Sequence, residues 1–241
     1  MIGLGTLINV AAIVLGGIFG LLFGKSLGKR HQDTLMKTCG VTVIFIGIAG
    51  VLSKMLSVTG TALVSGRSLL LVLSAAIGGL IGEILNIEGG FERFGEWLKC
   101  KTGNAKDKTF VDAFVTASLT VSIGAMAVVG AIQDGLSGDS SVLVTKAILD
   151  FVIIMVMTSS LGKGAAFAAI PVLVVEGSLT LLARLISPIM TDAALANLSM
   201  VGSMLIFCVG LNLTFGKRIR VANLLPALIL AVAAAFLPFN L

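Results

Sequence analysis

Charge is scarce in this sequence: only 12% of its 241 residues are Asp, Glu, Lys or Arg, about half the roughly 25% of soluble domains. So little charge cannot clothe a water-facing surface. With 57% hydrophobic residues and a mean hydropathy of +1.10, the chain reads as a polytopic membrane protein. Histidine is nearly absent, His31 standing alone in a basic stretch, and no His pair, nucleophile triad, Walker loop or dinucleotide fingerprint occurs. No cofactor is expected, ATP-driven transport by this chain alone is disfavoured, and the chain is read as a non-enzyme. An intramembrane hydrolase would need Asp134 and Asp150, or a Ser and a Lys, within hydrogen-bond reach. Cys39, Cys100 and Cys208 lack metal-ligand spacing, and two lie inside apolar runs, which argues against a zinc site or a disulfide framework. The net charge of +5 comes from basic residues scattered singly without aromatic interleaving, so it predicts topology rather than a nucleic-acid partner.

Apolar runs long enough to cross a bilayer number eight: Ile2–Gly24, Thr38–Leu56, Ser68–Ile87, Phe110–Ile132, Val142–Leu161, Ala165–Ser187, Asn197–Phe215 and Ala222–Phe239. They fill the chain, which predicts one all-α transmembrane domain over residues 1–241. The first run has no basic residue ahead of it and Lys25, Lys29 and Arg30 behind it. That order is the reverse of a secretory signal and predicts a retained span. Basic residues also gather after spans three, five and seven, at Arg93 to Lys108, at Lys163, and at Lys217, Arg218 and Arg220. By the positive-inside rule these loops face the cytoplasm and both termini face outside. Between spans three and four, Phe91, Phe94, Trp97 and Leu98 share a helical face, predicting a short amphipathic helix at the membrane surface, or a solvated connector of the same form.

Two faint internal likenesses suggest an inverted repeat. Ala75–Glu83 resembles Ala168–Glu176, and Gly40–Lys54 aligns with Ser203–Lys217 so that Gly47 matches Gly210. Each pair runs in opposite directions through the membrane, as in many secondary transporters. Gly16 with Gly20, and Gly78 with Gly82, form GxxxG spacings that serve either contacts within one copy or association with a second.

Against this apolar background, Asp150 and Glu176 lie deep in spans five and six, with Lys146 one turn from Asp150. The eleven Leu, Ile, Val and Phe residues of span five supply about −3 to −7 kcal/mol for insertion, and its Lys and Asp subtract about 5 to 7. Span five is marginal alone and needs a partner for its charges. Either Lys146 and Asp150 form a buried structural pair, or they face a wet cavity with Asp134. Span four places Thr116, Ser118, Thr120 and Ser122 on alternate positions before Gly124, with Gln133 and Asp134 further on. That pattern fits an α-helix badly and predicts a discontinuous span whose carbonyls and hydroxyls hold a small cation, the alternative being a regular helix with locally bonded hydroxyls. Pro171, five residues before Glu176, is expected to bend span six. Glu83 sits near a span end, and Asn9 and Asn212 read as interhelical glue or neutral ligands.

The stretch SLTVSIGAMAVVGAIQDGLSGDSSVLVTKAILD, Ser118 to Asp150, with the glycine-rich first span and Asn223-Leu-Leu-Pro226, resembles the YdfK/YqgA-like family of bacterial membrane proteins of unknown function over nearly the whole chain. Members often carry proline where Ala125 stands, a departure that bears on the helix break. The resemblance implies a bacterial cytoplasmic membrane location and carries a label of sodium channel or pump.

Three readings follow. The first is a transporter or channel for a monovalent cation such as sodium or the proton: Gln133 and Asp134 receive the ion at the outer mouth, and Asp150 holds it with Ser118, Thr120, Ser122 and the backbone near Gly124. Glu176 then couples or completes the site, and Lys146 is the resident counter-charge. The second is a carrier of a small organic solute that uses Lys146 and Arg184 as anion partners. The third is a scaffold or sensor whose polar residues only join helices.

Overall fold

The computed structural model describes every residue except Leu27, Ile123, Gly124 and 238–241, together with all side chains of the described residues but those of Lys25, Thr59 and Ala125. It is an all-α polytopic membrane fold. The long apolar helices are α1 (Leu4–Ser26), α2 (Lys29–Met55), α3 (Ser68–Leu85), α7 (Ser141–Leu161) and α10 (Asp192–Phe215). A further span, Lys163–Leu181, is composite: a 3-10 segment, Lys163–Ala168, runs into α8 (Ala169–Leu181). Pro171 stands in the first turn of α8, where the missing amide costs no helical bond. Pro171 therefore need not bend α8, and the irregular part of the span is the 3-10 segment before it.

Three expected boundaries change. Helix α2 starts nine residues ahead of Thr38, because the basic stretch is itself helical and the Lys37 ammonium meets Asp33 one turn away at 2.8 Å. The sixth run stops at Leu181 and continues as the short α9 (Ala183–Ile186). The eighth begins as a 3-10 turn, Val221–Leu224, and its helix α11 (Pro226–Ala234) has nine residues, about 13 Å at the usual rise. The connection after α2 is a β-hairpin, β1 (Leu56–Thr59) against β2 (Ala62–Ser65). The amphipathic helix is present as α4 (Ile87–Lys101). Asn86 turns the corner into it with a left-handed backbone, φ 48°, while its side chain accepts from the Gly89 amide.

The fourth run is broken as expected, but not where expected. Thr116 to Ser122 lie on a regular helix, α5 (Phe110–Ser122), and the break follows it; α6 (Ala125–Ser137) then departs at 61°. The alternating hydroxyls therefore spread around a helix instead of lining an unwound strand. The bent pair still runs from one end of the bundle to the other. Its start, at Thr109 and Phe110, packs against Gly162 and Gly164 at the end of α7, while Gly138 after α6 lies beside Met1.

Helix directions agree with this path. On α1 and α7, Gly16 faces Phe151 and Gly20 faces Met155, so the two helices run parallel. Helices α2 and α10 run antiparallel, and here the sequence likeness becomes geometry. A Cβ built on Gly47 would lie 2.6 Å from the Phe207 nitrogen, and one built on Gly210 would lie 2.7 Å from the Ile44 nitrogen. Each glycine of the matched pair thus receives the residue three before the other, the signature of a local two-fold axis between antiparallel helices. Gly78 and Gly82 similarly admit Ala227 and Asn223 beside α11. All these glycines close contacts within one copy.

The turns bearing the basic residues gather at one end, the basic face, and the N-terminus lies at the other. Between them the core centres on α5, the 3-10 segment and α10, with Phe110, Phe114, Met157, Met200 and Leu205 buried. Phe45, Leu80, Ile148 and Ile229 ring the outside, the apolar surface of a bundle in lipid.

Candidate functional site

At mid-depth, α1, α7, α8 and the end of α5 bring together a buried charge cluster. Lys146 and Asp150, on successive turns of α7, form an ion pair. The same ammonium lies 3.3 Å from Glu176 Oε1 on α8 and donates to the Val121 carbonyl at 2.7 Å. An ammonium has three N–H donors, and each has a partner here. The Val121 carbonyl belongs to the last turn of α5, where helix carbonyls have no intrahelical donor of their own; the ammonium meets the negative end of that helix dipole. On its other side the Glu176 carboxylate accepts two bonds from Asn9 Nδ2 of α1, at 2.9 and 3.0 Å. Lys146, Asp150, Glu176 and Asn9 are all buried, Glu176 and Asn9 completely. With the three titratable groups ionised, two negative charges surround one positive.

The remaining sequence-predicted residues divide. Asp134 is fully buried near the N-terminal face, where Oδ2 accepts from the Gly5 amide at 3.0 Å and the Thr6 amide at 3.4 Å. It caps α1 from a neighbouring helix, satisfying first-turn amides that have no partner of their own. Gln133, the preceding residue of α6, is exposed. These two residues therefore do not form an open outer mouth: one is sealed and the other faces outward. Thr120 Oγ1 donates back to the Thr116 carbonyl at 2.7 Å, the local bonding of a regular helix. Ser118 and Ser122 differ, for their hydroxyls are buried with no partner among the described residues, and both line a cavity of about 170 Å³. Gly124 lies outside the described residues. Arg184 is exposed, remote in role from Lys146, so no paired anion site forms.

Two residues were not singled out from sequence. Thr6 and Thr180 are buried and share a hydrogen bond at 3.1 Å, extending the polar seam of Asn9 and Glu176 by one turn toward Asp134. The available signal was spacing: Thr6 and Asn9 stand three apart on α1, and Glu176 and Thr180 four apart on α8. Other polar residues do structural work. Asn212 folds the turn after α10, its Oδ1 accepting from Arg218 and Ile219 amides. Asn223 donates to Glu83 at 2.6 Å and accepts from the Glu88 amide at 2.8 Å, pinning the α3–α4 corner, while Glu83 also pairs with Arg220. No group of three or more His, Cys, Asp or Glu suited to a metal ion occurs among the described residues.

Comparison with known proteins places this geometry in a family. Over 232 residues, 96% of this chain and 95% of the other, the sequence is 28% identical to the "Uncharacterized membrane protein YdfK" of Bacillus subtilis (strain 168). Over 233 residues, 95% and 94% of the two chains, it is 30% identical to the "Uncharacterized protein YqgA" of Escherichia coli (strain K12). No solved structure matches. The family described as "Protein of unknown function (DUF554)" matches residues 4–236, and the chain, charge cluster included, belongs to it.

Proposed function

We propose that this protein moves a monovalent cation, sodium or the proton, across the bacterial cytoplasmic membrane, with both termini outside, and that Asp150 and Glu176 are the carrying carboxylates. One observation carries the reading: two buried carboxylates share a single ammonium. Stranding an uncompensated charge in a protein interior costs several kcal/mol. A balanced pair would suffice to hold helices together, whereas a cluster short by one positive charge calls for one more monovalent cation. A proton on one carboxylate or a sodium ion beside it supplies that charge, and exchange of one for the other is transport. Oxygen ligands suit a hard cation: the two carboxylates, the Asn9 amide oxygen, which has no partner among the described residues, and the carbonyls at the end of α5. Lys146 stays in place as the resident positive charge. The organic-solute reading loses support, because the three donors of Lys146 are already spent. The scaffold reading keeps one supporting observation, namely that Lys146 is completely partnered.

Purified protein in liposomes distinguishes the two remaining readings. An imposed sodium or proton gradient is expected to drive flux that Asp150→Asn and Glu176→Gln each reduce at least tenfold. Absence of flux for sodium, potassium and protons alike leaves the scaffold reading.

A further inference from the structure

We propose that one face of α5 is the wall of the cation's path from the basic face to the charge cluster, with Leu119 as its partition; this rests on the transport reading above. Two cavities lie along that face. The first, of about 410 Å³, sits at the basic face among the start of α2, the start of α5 and the end of α10, and Asp112, Val115, Thr116 and Leu119 are its α5 lining. The second, of about 170 Å³, is lined from α5 by Ser118, Leu119 and Ser122. Residues 112, 116, 119 and 122 follow helical spacing down one face, so the same stripe serves both cavities. Among the described residues Leu119 alone is common to the two.

The stripe is graded in chemistry. Asp112, at its mouth, is exposed and makes no ion pair among the described residues, so it is available to attract a hydrated cation. Thr116 follows as a half-buried hydroxyl. Beyond Leu119, Ser118 is 1% exposed and its hydroxyl, like that of Ser122, has no partner among the described residues. A buried hydroxyl without a partner forfeits a hydrogen bond it would make in water, and two on the wall of one cavity are served by a transient ligand or its water. Ser122 adjoins Val121, whose carbonyl touches Lys146. The inner cavity, which no side chain of the cluster lines, thus stops one residue short of it along α5, about 15 Å from Asp112 at 1.5 Å per residue, and the path closes that last step. At the opposite face the seam is shut by Asp134 on the first turn of α1. The conformation is open to the basic face as far as Leu119 and closed to the other.

The test is sided thiol labelling of the full chain in vesicles of known orientation, with Thr116→Cys, Ser118→Cys and Ser122→Cys each exposed to trimethylammonium-ethyl methanethiosulfonate and the modified position read by peptide mass spectrometry. From the basic face, position 116 is expected to react at least tenfold faster than positions 118 and 122. Adding Leu119→Ala is expected to bring position 122 within about threefold of 116, and Leu119→Met to restore the difference. Equal rates at 116 and 122 with Leu119 in place, no acceleration by Leu119→Ala, or labelling of 122 only from the N-terminal face would each overturn the path. Elution of every variant as the same monodisperse species shows that it is folded. Labelling and flux fail separately: gated labelling without cation flux retains the path and removes the cation reading, whereas cation flux without gated labelling places the route elsewhere.

Discussion

If Asp150 and Glu176 outnumber their shared Lys146, the three side chains must respond to substitution asymmetrically. Lys146→Met leaves two buried carboxylates facing each other and frees the Val121 carbonyl. Breaking a buried pair in this way costs about 3 to 5 kcal/mol. For a chain of this size each kcal/mol moves the midpoint by roughly 2 to 4 °C, so the fall is about 6 to 20 °C. Asp150→Asn leaves Lys146 against Glu176, a balanced pair with an amide beside it. Its expected cost is under about 1 kcal/mol, the range of a polar contact exchanged for another. The triple variant Lys146→Met, Asp150→Asn, Glu176→Gln carries no charge and is expected to regain most of the loss. A thiol-reactive fluorophore reads unfolding in detergent, since Cys39 and Cys208 are half-buried in the folded protein, with all variants heated at one scan rate. Destabilisation by Asp150→Asn as large as that by Lys146→Met would overturn the charge imbalance. Both carboxylates would then be structural, with no surplus charge for a cation to balance.

Three further outcomes follow from the geometry. Asp134→Ala removes a capping acceptor from the first turn of α1 and is expected to lower stability by about 0.5 to 2 kcal/mol without altering cation selectivity, which thermal unfolding and flux measure separately. Gly47→Leu and Gly210→Leu each drive a side chain into the opposing backbone, an overpacking expected to cost about 1 to 3 kcal/mol, and the similarity of the two losses in unfolding midpoint checks the local two-fold relation. Lys217 lies 2.6 Å from Glu92 and 3.0 Å from Glu88; burial alone would pull its pKa down, but these contacts outweigh it and hold it above the ordinary 10.5. A raised folded-state pKa stabilises fully below the unfolded value and fades as pH climbs through the folded one. The midpoint difference between the wild type and Lys217→Met is therefore expected to be constant from neutrality up to about the ordinary 10.5 and to shrink above it.

Much of the architecture was legible because a membrane span is a local property. Enough apolar residues in a row make one wherever the rest of the chain lies. Lys37, Lys163 and Lys217 fell at one end for the same reason. The ends of spans were less legible, since Lys29 to Lys37 continue α2 despite their charge, and hydropathy does not distinguish a helix that leaves the membrane from a loop. The hydroxyls of α5 misled in the opposite direction: alternation in sequence looked like extended chain, yet Thr116 to Ser122 are helical and only Ser118 and Ser122 reach the inner cavity.

The site was half visible. Lys146 and Asp150 are four residues apart on one helix, so their pairing needed only helical geometry. That Glu176 joins them, that Asn9 closes the cluster, and that Asp134 instead caps α1 depended on which helices are neighbours and how each is rotated about its axis. Hydropathy sums over a window and carries neither quantity, whereas close glycine contacts such as Gly16 on Phe151 and Gly47 on Phe207 fix both. The sequence alone determined a bundle of apolar helices with a few costly charges inside it; only tertiary packing decided which of those charges meet, because the partner of a buried side chain lies across an interface and not along the chain.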